Sequence, residues 1–381
     1  MIAGAAILVI FVFLSIFYID SFTGIFAKFS DAFRQIKNDT KPATATMDDG
    51  DKAAKDLHAP HNLPENSTAT IAAVGDVMMH EGQIWSGYDS KTGRYNYFEF
   101  FQEVKGEISS ADIAVANLET TLGGRERKFT GYPRFNSPDE LADALKEAGF
   151  DVIFTSNNHC LDRGEEGLVR TLEVLGKRGL SAVGTSRAAG ERTGAIIKEI
   201  NGIKIAFLAY TYGTNGNPIP KDKPYLVNLI DEDTILKDMT KAGKSADVLV
   251  VYLHFGQEYQ RVASEQQREL ARRLLQKGAH VVLGSHPHVT QPGEWVSVLG
   301  PEGEKLERYV AYSLGNFVSA QRFPHTDEGM ILKITLEKDL LKNRINVKTI
   351  IQIPTWVDKF KRDGRMRYVV RLGEKPDAHK N

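Results

Sequence analysis

The chain has 381 residues, of which 42% are hydrophobic and 25% are charged, a composition that is typical of a globular protein and excludes disorder throughout. Its 48 Lys and Arg side chains are balanced by 49 Asp and Glu side chains. No net field therefore attracts it to nucleic acid, and no nucleic-acid partner is expected. The single cysteine, Cys160, excludes an internal disulfide.

The N-terminal residues 1–19 predict a transmembrane helix that acts as a signal anchor. Residues 2–18 carry no charged side chain, and a helix of about 18 residues spans roughly 27 Å, close to the hydrocarbon thickness of a bilayer. No small-x-small cleavage site follows promptly, because the next residues are Asp20, Ser21, Phe22 and Thr23. We therefore expect the anchor to remain uncleaved.

Residues 20–69 predict a juxtamembrane segment and a polar linker. Between Asp39 and Thr70 the sequence is rich in Ala, Thr, Asp, Asn and Pro and has no sustained period of a helix or strand. It indicates either a tether that holds a folded domain away from a membrane or an ordinary disordered junction. We predict that the folded domain covers residues 70–357 and that residues 358–381 form a charged tail.

From residue 70 onward, short apolar runs alternate with amphipathic stretches, which predicts strands separated by crossover helices in an α/β fold. One unit shows the pattern clearly. Ser137 followed by Pro138 predicts the start of a helix, with Ser137 as its N-cap, and Gly149 predicts its end. The apolar run at residues 151–155 then predicts a buried strand.

The same pattern recurs in the second half of the chain. Residues 247–254 predict a strand, residues 264–279 a helix and residues 280–284 a further strand. Residues 330–336 and 345–353 are rich in β-branched side chains and predict additional strands. Ligands bind beyond the carboxyl ends of strands in open α/β sheets, so we expect the polar residues that follow these strands to meet in space.

Polar side chains able to bind divalent cations follow five of the apolar runs. Imidazole, carboxylate and amide oxygen form the ligand set of a divalent ion such as Mn, Fe or Zn. His286 and His288 are two residues apart, so on an extended segment both rings would face the same side. The five segments are residues 75–80, 117–119, 157–162, His254 and residues 286–288.

Each segment alone has an ordinary structural explanation. A strand-terminal pair such as Gly75 and Asp76 is usually a loop, and Asn117 and Glu119 can simply cap a turn. An isolated His-x-His motif also indicates metal binding no more strongly than it indicates an ordinary structural role. The combination of five segments, each at a predicted strand end, favours a metal site.

The motifs at these positions resemble a known family. In chain order they read VGDVMMH, ANLETTL, SNNHCLDRG, LHFGQEY, GSHPHVTQP and YSLGNFV. Together they resemble the landmarks of the CapA-type poly-gamma-glutamate biosynthesis proteins, over residues 71–317. That family is related to the calcineurin-like metallophosphatases, so the resemblance implies a two-sheet β-sandwich flanked by helices, an α/β/β/α arrangement.

The resemblance also implies a site for two divalent metal ions. Glu119 matches the carboxylate that bridges the two ions, and Asp76 and His288 match ligands of the first ion. The remaining implied ligands match the second ion. The complete implied ligand set is Asp76, Glu119, Asn158, His254, His286 and His288.

The same resemblance assigns the catalytic role to His159, whose imidazole would act on the leaving group or on the transition-state charge. Asp162 is either the acceptor that orients His159 or a cap for the helix that begins near residue 165, and both interpretations stay open. Cys160 adjoins His159, but neighbouring residues on an extended chain point apart, so we interpret it as a buried, inert thiol.

A further group is assigned to substrate binding or to support of the ligands. Several of its members have a second interpretation: His80 has a spacing that differs from that of ordinary phosphatases, Arg134 can equally be a surface residue, Glu258 can be merely structural, and Asn316 lies in a predicted turn. The group consists of His80, Asn117, Arg134, Asn157, Glu258 and Asn316.

We therefore predict a membrane-anchored protein of capsule or poly-gamma-glutamate synthesis and export, with a two-metal hydrolase-type site that acts on an anionic cell-surface polymer. The polymer follows only from the resemblance. Two alternatives stay open. One is a metal-dependent phosphomonoesterase or phosphodiesterase, because metal ions stabilise charge on oxygen in either type of transition state. The other is a non-catalytic scaffold that binds the polymer during export.

The resemblance implies that the domain lies on the extracytoplasmic side of the cell membrane, with membrane synthase or export subunits as partners. The positive-inside tendency argues for the opposite orientation, because the only basic residues near the predicted anchor follow it. We expect the extracytoplasmic orientation, since an exported polymer is met outside the cell. The basic residues are Lys28, Arg34, Lys37 and Lys41.

Overall fold

Two large β-sheets form the centre of the part of the chain that the structure describes. The structure is a computed structural model and describes residues 66–192, 194–300, 303–341 and 344–376. The first sheet contains β1 Asn66–Val77, β4 Ile113–Leu118, β5 Val152–Phe154, β6 Ser181–Val183, β15 Asn316–Val318, β16 Glu328–Asp339, β17 Arg344–Arg362 and β18 Arg365–Leu372. The second contains β7 Ile196–Ile200, β8 Ile203–Thr211, β9 Val248–His254, β10 Val281–Ser285, β12 Glu294–Leu299 and β13 Lys305–Ala311. Two small ribbons pair β2 Tyr88–Asp89 with β3 Arg94–Tyr95 and β11 Thr290–Gln291 with β14 Ser313–Leu314.

Helices connect and cover these strands. Seven α-helices lie in the described residues: α1 Glu81–Ser86, α2 Phe98–Phe101, α3 Lys105–Ser109, α4 Glu140–Ala148, α5 Gly164–Lys177, α6 Glu232–Ala242 and α7 Glu265–Gln276. Short 3₁₀ turns occur at Arg125–Arg127, Ala189–Glu191 and Pro224–Leu226. The sequence determines where α7 begins, because Ser264 and Gln267 form a capping box at its N-terminus.

The direction of the strands determines where polar residues collect. The first sheet runs β18-β17-β16-β1-β4-β5-β6, with β15 also paired to β1, and the second runs β12-β13-β10-β9-β8-β7. Strands β1, β4 and β5 are parallel to one another, as are β8, β9 and β10. Parallel neighbours end at the same edge of a sheet, so each sheet presents a group of strand carboxyl ends along one edge.

The core has three apolar layers. Between the sheets, side chains such as Ile71 and Val115 pack against Phe207 and Val250. The outer face of the first sheet packs against α4 and α5, and the outer face of the second packs against α6 and α7. Each large aliphatic side chain buried in this way stabilises the fold by about 1.5–3 kcal/mol. The prediction of a mixed α/β fold is confirmed.

The helix predicted to begin after Ser137 begins three residues later, at Glu140. The Ser137 hydroxyl lies 2.7 Å from the Thr120 hydroxyl, so it holds the preceding loop instead of capping the helix. The end of the helix follows the prediction, because Gly149 adopts the left-handed conformation that terminates α4.

The first sheet extends beyond the limits that the sequence predicted for the domain. It begins at Asn66 rather than at residue 70, and it continues through Leu372, past the boundary predicted at residue 357. The predicted charged tail therefore contains all of β18 and the end of β17. Its charge misled the prediction because charged and buried side chains occur together in β18: Tyr368, Val369 and Val370 are buried, whereas Arg371 pairs with Asp358 on β17.

The predicted anchor at residues 1–19, and all but the last four residues of the predicted linker at 20–69, lie outside the described residues. Among the residues that are described, no helix is long and apolar enough to cross a membrane. The longest of them, α5, has 14 residues, which is shorter than the roughly 20 residues that a spanning helix needs.

A close approach of two backbones fixes the carboxyl end of β1. The Asp76 backbone N–H donates to Gly315 O at 3.0 Å, and Asp76 lies opposite Asn316 in the parallel pairing of β1 with β15. A Cβ atom on Gly75 would lie 1.8 Å from the same Gly315 carbonyl oxygen. Only glycine fits at position 75, because any side chain would push the two strands apart.

We therefore expect Gly75→Ala to lower the free energy of unfolding by about 1–3 kcal/mol, because the added methyl group overlaps a backbone atom that cannot move aside freely. Chemical denaturation of the purified protein measures the change. The matched control is Gly176→Ala, in the exposed part of α5, where a Cβ meets no atom within 4 Å. This control should be neutral or slightly stabilising. Equal effects of the two substitutions would contradict the proposed constraint.

Candidate metal centre

The carboxyl ends of β1 and β4 bring two carboxylates and one amide together. Asp76, Asn117 and Glu119 are fully buried. Asn117 Nδ2 donates to Asp76 Oδ1 at 2.8 Å and to Glu119 Oε2 at 3.3 Å. Asn117 and Glu119 reach the same side because they are two residues apart at the end of a strand. The amide thus holds the two carboxylates next to each other.

The loop after β5 supports this arrangement and adds an amide oxygen. Asn157 Nδ2 donates to Asn117 Oδ1 at 3.1 Å, and its Oδ1 accepts from the His159 backbone N–H at 3.1 Å. Asn157 therefore positions its neighbours. Asn158 Oδ1 lies 2.9 Å from Nε2 of His254, the last residue of β9.

His254 faces the buried carboxylates from the second sheet. Its Nε2 atom lies 3.7 Å from Glu119 Oε1, and its Nδ1 atom lies 3.0 Å from the Tyr252 hydroxyl. The ring is fully buried. The Tyr252 contact fixes the rotation of the ring, so Nε2 is the nitrogen presented to the carboxylates.

The segment after β10 contributes two more imidazoles, but not in the extended conformation that the sequence predicted. Strand β10 ends at Ser285, and the backbone φ angles of His286 and His288 are 101° and 59°. The prediction that these residues lie on an extended segment is therefore wrong, although both rings reach the same centre. His288 Nδ1 lies 3.1 Å from Asp76 Oδ2, and its Nε2 atom lies 3.8 Å from Glu119 Oε1.

These side chains form two overlapping groups of metal-ligand type. Asp76, Glu119 and His254 form one group, and Glu119, His286 and His288 form the other, with the ligand atoms of each group within 4.8 Å of one another. Glu119 belongs to both groups. All of these residues are buried. The donor set of carboxylates and imidazoles suits a divalent ion such as Mn, Fe or Zn.

Two buried atoms show directly that the residues fit a cation. Glu119 Oε1 and His286 Nδ1 have no hydrogen-bond partner among the described residues. An unpaired buried carboxylate oxygen is costly, and a cation next to it removes that cost. The metal-ligand interpretation therefore accounts for the missing hydrogen bonds of Glu119 Oε1 and His286 Nδ1.

The protonation of two imidazoles at the site, those of His254 and His286, is suited to metal binding. Burial and the neighbouring His286 hold the pKa of His254 well below its usual value, and burial together with His288 lowers the pKa of His286 to about 3. Both rings are therefore neutral near pH 7, as a metal ligand must be. Burial and the Asp76 charge raise the pKa of Glu119 well above its usual value. Burial also raises the pKa of Asp76, but the hydrogen bond and charge of His288 lower it by more. The pKa of Asp76 therefore lies below its usual range.

His159 and Asp162 form a hydrogen-bonded pair beside this centre. Asp162 Oδ2 lies 2.8 Å from His159 Nδ1 and accepts from the Phe135 backbone N–H at 2.7 Å. The Phe135 ring packs edge-on against the imidazole with ring centroids 4.7 Å apart. Helix α5 begins after Arg163 and shows no side-chain cap. Of the two interpretations of Asp162, the geometry favours the one in which it orients His159.

A cavity of about 560 Å³ opens onto the centre. His159 and His288 line it, together with His80 and Glu258, two of the predicted supporting residues. Glu258 is about 41% exposed, and its Oε1 atom lies 4.0 Å from His288 Nε2. His80 contacts Phe135 edge-on rather than a carboxylate, and burial lowers the pKa of His80 to about 4. Aromatic side chains form much of the remaining wall: Tyr132, Tyr259 and Phe323.

Two predicted supporting residues make their side-chain hydrogen bonds away from the ligands. Arg134 is exposed and donates from Nη2 to Asn217 Oδ1 at 2.7 Å. It lines a different cavity, which it shares with Asp162. Asn316 is buried and donates from Nδ2 to Gln321 Oε1 and Thr326 O, both at 2.8 Å, so its side chain organises the loop that follows β15.

The structure adds residues that the sequence did not single out. Asn215 Nδ2 lies 3.3 Å from His159 Nε2, and its Oδ1 accepts from Asn158 Nδ2 at 3.2 Å. The Tyr212 ring lies 4.6 Å from the His286 ring. Asn215 precedes a glycine and therefore indicates only a turn, but Tyr212 directly follows β8, a parallel strand of the second sheet. The rule that ligands bind at strand ends could have found it.

Comparisons with known proteins agree with the predicted resemblance. The chain is 28% identical over 291 residues to the capsule biosynthesis protein CapA of Bacillus anthracis, covering 73% of this chain and 66% of that protein. It is also 28% identical over 270 residues to the PGA biosynthesis protein CapA of Bacillus subtilis strain 168, covering 70% of this chain and 67% of that protein. The matched region thus spans about two thirds of each relative. Among solved structures, the NAD nucleotidase of Haemophilus influenzae aligns with a TM-score of 0.46 and 12% identity, over 82% of this chain and 54% of that one.

The family match covers the same part of the chain as the site. The sequence model described as "Bacterial capsule synthesis protein PGA_cap" matches residues 70–321. This range begins in β1, ends just after β15, and contains every residue of the candidate metal centre. Because the match covers well over half of the sequence, the chain belongs to the bacterial capsule synthesis protein family PGA_cap.

Proposed function

We propose that the chain is a membrane-anchored protein of capsule or poly-gamma-glutamate synthesis and export, in which a two-metal site acts hydrolytically on an anionic cell-surface polymer. The observation that carries the proposal is the position of Glu119. Its carboxylate belongs to two donor groups at once, and these groups lie next to the His159 and Asp162 pair. Membership of the capsule synthesis family supports the choice of a polymer as substrate.

The residues of the two donor groups would hold the ions, with Asn158 as an additional oxygen ligand. A pair of divalent ions, when bound, lowers the pKa of water and offsets negative charge that develops on a substrate oxygen. The protein contributes a buried, preorganised setting for this chemistry. Asn117 fixes the carboxylates and Tyr252 fixes His254 before any ligand arrives.

His159 is placed to move a proton. A carboxylate can only accept, so the Asp162 contact assigns the proton of the neutral ring to Nδ1 and leaves the lone pair on Nε2. The ring lines the cavity next to His288. Nε2 can therefore take up a proton and deliver it to the departing group of the substrate, whether that group is an amine or an alcohol.

We also propose a location and partners. The domain would lie on the extracytoplasmic side of the cell membrane, held by an anchor at residues 1–19, and would work with membrane synthase or export subunits. The apolar sequence of residues 2–18 supports the anchor, and the family's association with capsule synthesis supports the side on which an exported polymer is found.

The first prediction concerns metal uptake. We expect the full-length protein, purified and then incubated with Mn, Fe or Zn, to retain two divalent ions, and His286→Ala and Glu119→Gln to retain fewer because each removes a ligand. Elemental analysis after gel filtration measures this. His280→Asn is the matched control, because His280 lies at the opposite end of β10 and its Nδ1 accepts from the Leu249 backbone N–H, a role that an asparagine oxygen can fill. Wild-type protein that retains no divalent ion would refute the metal centre.

The second prediction concerns catalysis. With metal added, His159→Ala should lower the turnover rate by about 10²–10⁴-fold, the range typical of a lost general acid or base. Release of free amines from poly-gamma-glutamate and hydrolysis of p-nitrophenyl phosphate are measured in parallel. Cys160→Ala is the neighbouring control and should keep its activity, because burial raises the pKa of this thiol to about 12 and leaves no reactive thiolate.

The substrate that is turned over distinguishes a polymer hydrolase from a phosphoesterase and from a non-catalytic scaffold. Turnover of the phosphoester alone would favour a phosphoesterase over the proposed polymer hydrolase. Turnover of neither, with Asp76→Ala and His286→Ala chains still supporting polymer production in cells, would favour a non-catalytic scaffold.

The third prediction concerns orientation. The single cysteine is buried, so a Cys160→Ala chain provides a background without thiols in which exposed positions can be labelled one at a time. We expect Lys91→Cys, at an exposed position, to react with a membrane-impermeant maleimide on intact cells. Labelling that occurs only after the cells are permeabilised would place the domain in the cytoplasm and contradict the proposal.

A further inference from the structure

A second cavity lies on the far side of the His159 and Asp162 pair. It measures about 730 Å³ and shares no lining residue with the cavity that opens onto the metal centre. The two cavities are nevertheless adjacent, because Asp162 lines one and its hydrogen-bond partner His159 lines the other, at a distance of 2.8 Å. His159 and Asp162 therefore form part of the wall that separates the two cavities.

The lining of the second cavity is strongly positive. Four cationic side chains line it, whereas its one carboxylate, Asp162, is already engaged by His159 and the Phe135 backbone. Positive charge on this scale attracts anions and raises their local concentration. The cationic residues are Arg127, Lys128, Arg134 and Arg163.

Most of this charge is not neutralised by the protein. Among the described residues, Lys128, Arg134 and Arg163 form no ion pair with a carboxylate, and only Arg127 does, with Glu166. Arg163 is held by neutral acceptors instead: Nη1 donates to Asp162 O at 3.2 Å and Nη2 donates to Arg134 O at 2.9 Å. Its Nε atom is buried and has no hydrogen-bond partner. The guanidinium is thus fixed in place with its charge unpaired.

Two short segments run from the surroundings of His159 to the basic cavity. In the first, Tyr132 lines the cavity of the metal centre, and Arg134, two residues later, lines the basic cavity. In the second, Asn215 Nδ2 lies 3.3 Å from His159 Nε2, while Asn217 Oδ1 accepts from Arg134 Nη2 at 2.7 Å. The same two short segments therefore connect the reacting end of the site to the cationic side chains.

We propose that the basic cavity is an anion subsite that holds a second negatively charged group of the same polymer chain while a neighbouring linkage lies at the metal centre. The inference rests on the proposed function, and it specifies the substrate as a chain with repeated carboxylates or phosphates. Lys128 and Arg134 make the direct contacts, and Arg163 supplies fixed positive charge behind them. A substrate with a single charge gains nothing from this subsite.

Binding of charged oligomers to the full-length protein tests the subsite. The probes are a γ-linked glutamate oligomer, a glycerol-phosphate oligomer of similar length and a neutral dextran oligosaccharide. We expect Lys128→Ala with Arg134→Ala to weaken binding of an anionic oligomer by about tenfold, because charge-assisted contacts are lost, and to leave the neutral probe unaffected. A chain with Lys128→Arg and Arg134→Lys keeps both charges and should recover most of the affinity.

The control pair removes the same charge elsewhere. Arg344→Ala with Lys348→Ala alters exposed residues near the start of β17, at the end of the first sheet opposite to the metal centre. Loss of affinity for either anionic probe in the cavity variant alone supports the subsite, and the probe that loses more identifies the charged group. Equal losses in the control pair, a loss for dextran, or no loss would overturn it.

The test separates the subsite from the proposed function. Binding is measured both with Mn and with a chelator, and the metal content of every variant is determined. Wild-type protein that contains no metal would refute the two-metal site. The difference in oligomer affinity between the cavity variant and the control variant would still test the subsite. Normal metal content with unchanged affinity in the cavity variant would refute the subsite alone.

Discussion

The buried carboxylate of Glu119 is the constraint on which the rest of the site depends. A carboxylate removed from water costs several kcal/mol unless opposite charge and hydrogen bonds compensate. Here one oxygen receives a hydrogen bond from Asn117, and the other lies 3.7 Å from His254 Nε2 and 3.8 Å from His288 Nε2. The surrounding loops are arranged so that this charge can be met by cations, and the deep burial of the neighbouring imidazoles follows from the same requirement.

The sequence predicted this arrangement well where a strand end determines the position of a side chain. Parallel strands end at a common edge, so the positions of Asp76, Glu119 and His254 follow from the order of apolar runs alone. The prediction was less accurate where a loop determines the position of a side chain. His286 and His288 were placed by an extended-strand argument, yet both have positive φ angles, a conformation that a non-glycine residue adopts at a cost of about 1–3 kcal/mol. Nothing in a local sequence reports such strain.

Three other differences share a physical cause, which is that local sequence signals do not show what lies nearby in space. Ser137 has the residue type and spacing of a helix cap, but its hydroxyl is used by Thr120 from another loop. Asn215 indicates a turn by its sequence, but the turn brings it to His159. The C-terminal strands were hidden by their charge for the same reason, since Arg371 is balanced by Asp358 on the adjacent strand.

The pairing of β1 has a consequence for how the chain folds during its synthesis. β1 supplies Asp76, yet two of its partners in the sheet, β15 and β16, come from the other end of the domain, with Asn66 opposite Asp339. A nascent chain that ends before β16 leaves one edge of its first strand open. Contacts this distant in sequence form slowly, because a long loop must close before they contribute. We therefore expect the carboxyl end of β1, and with it the position of Asp76, to reach its final geometry only after β15 and β16 have been synthesised.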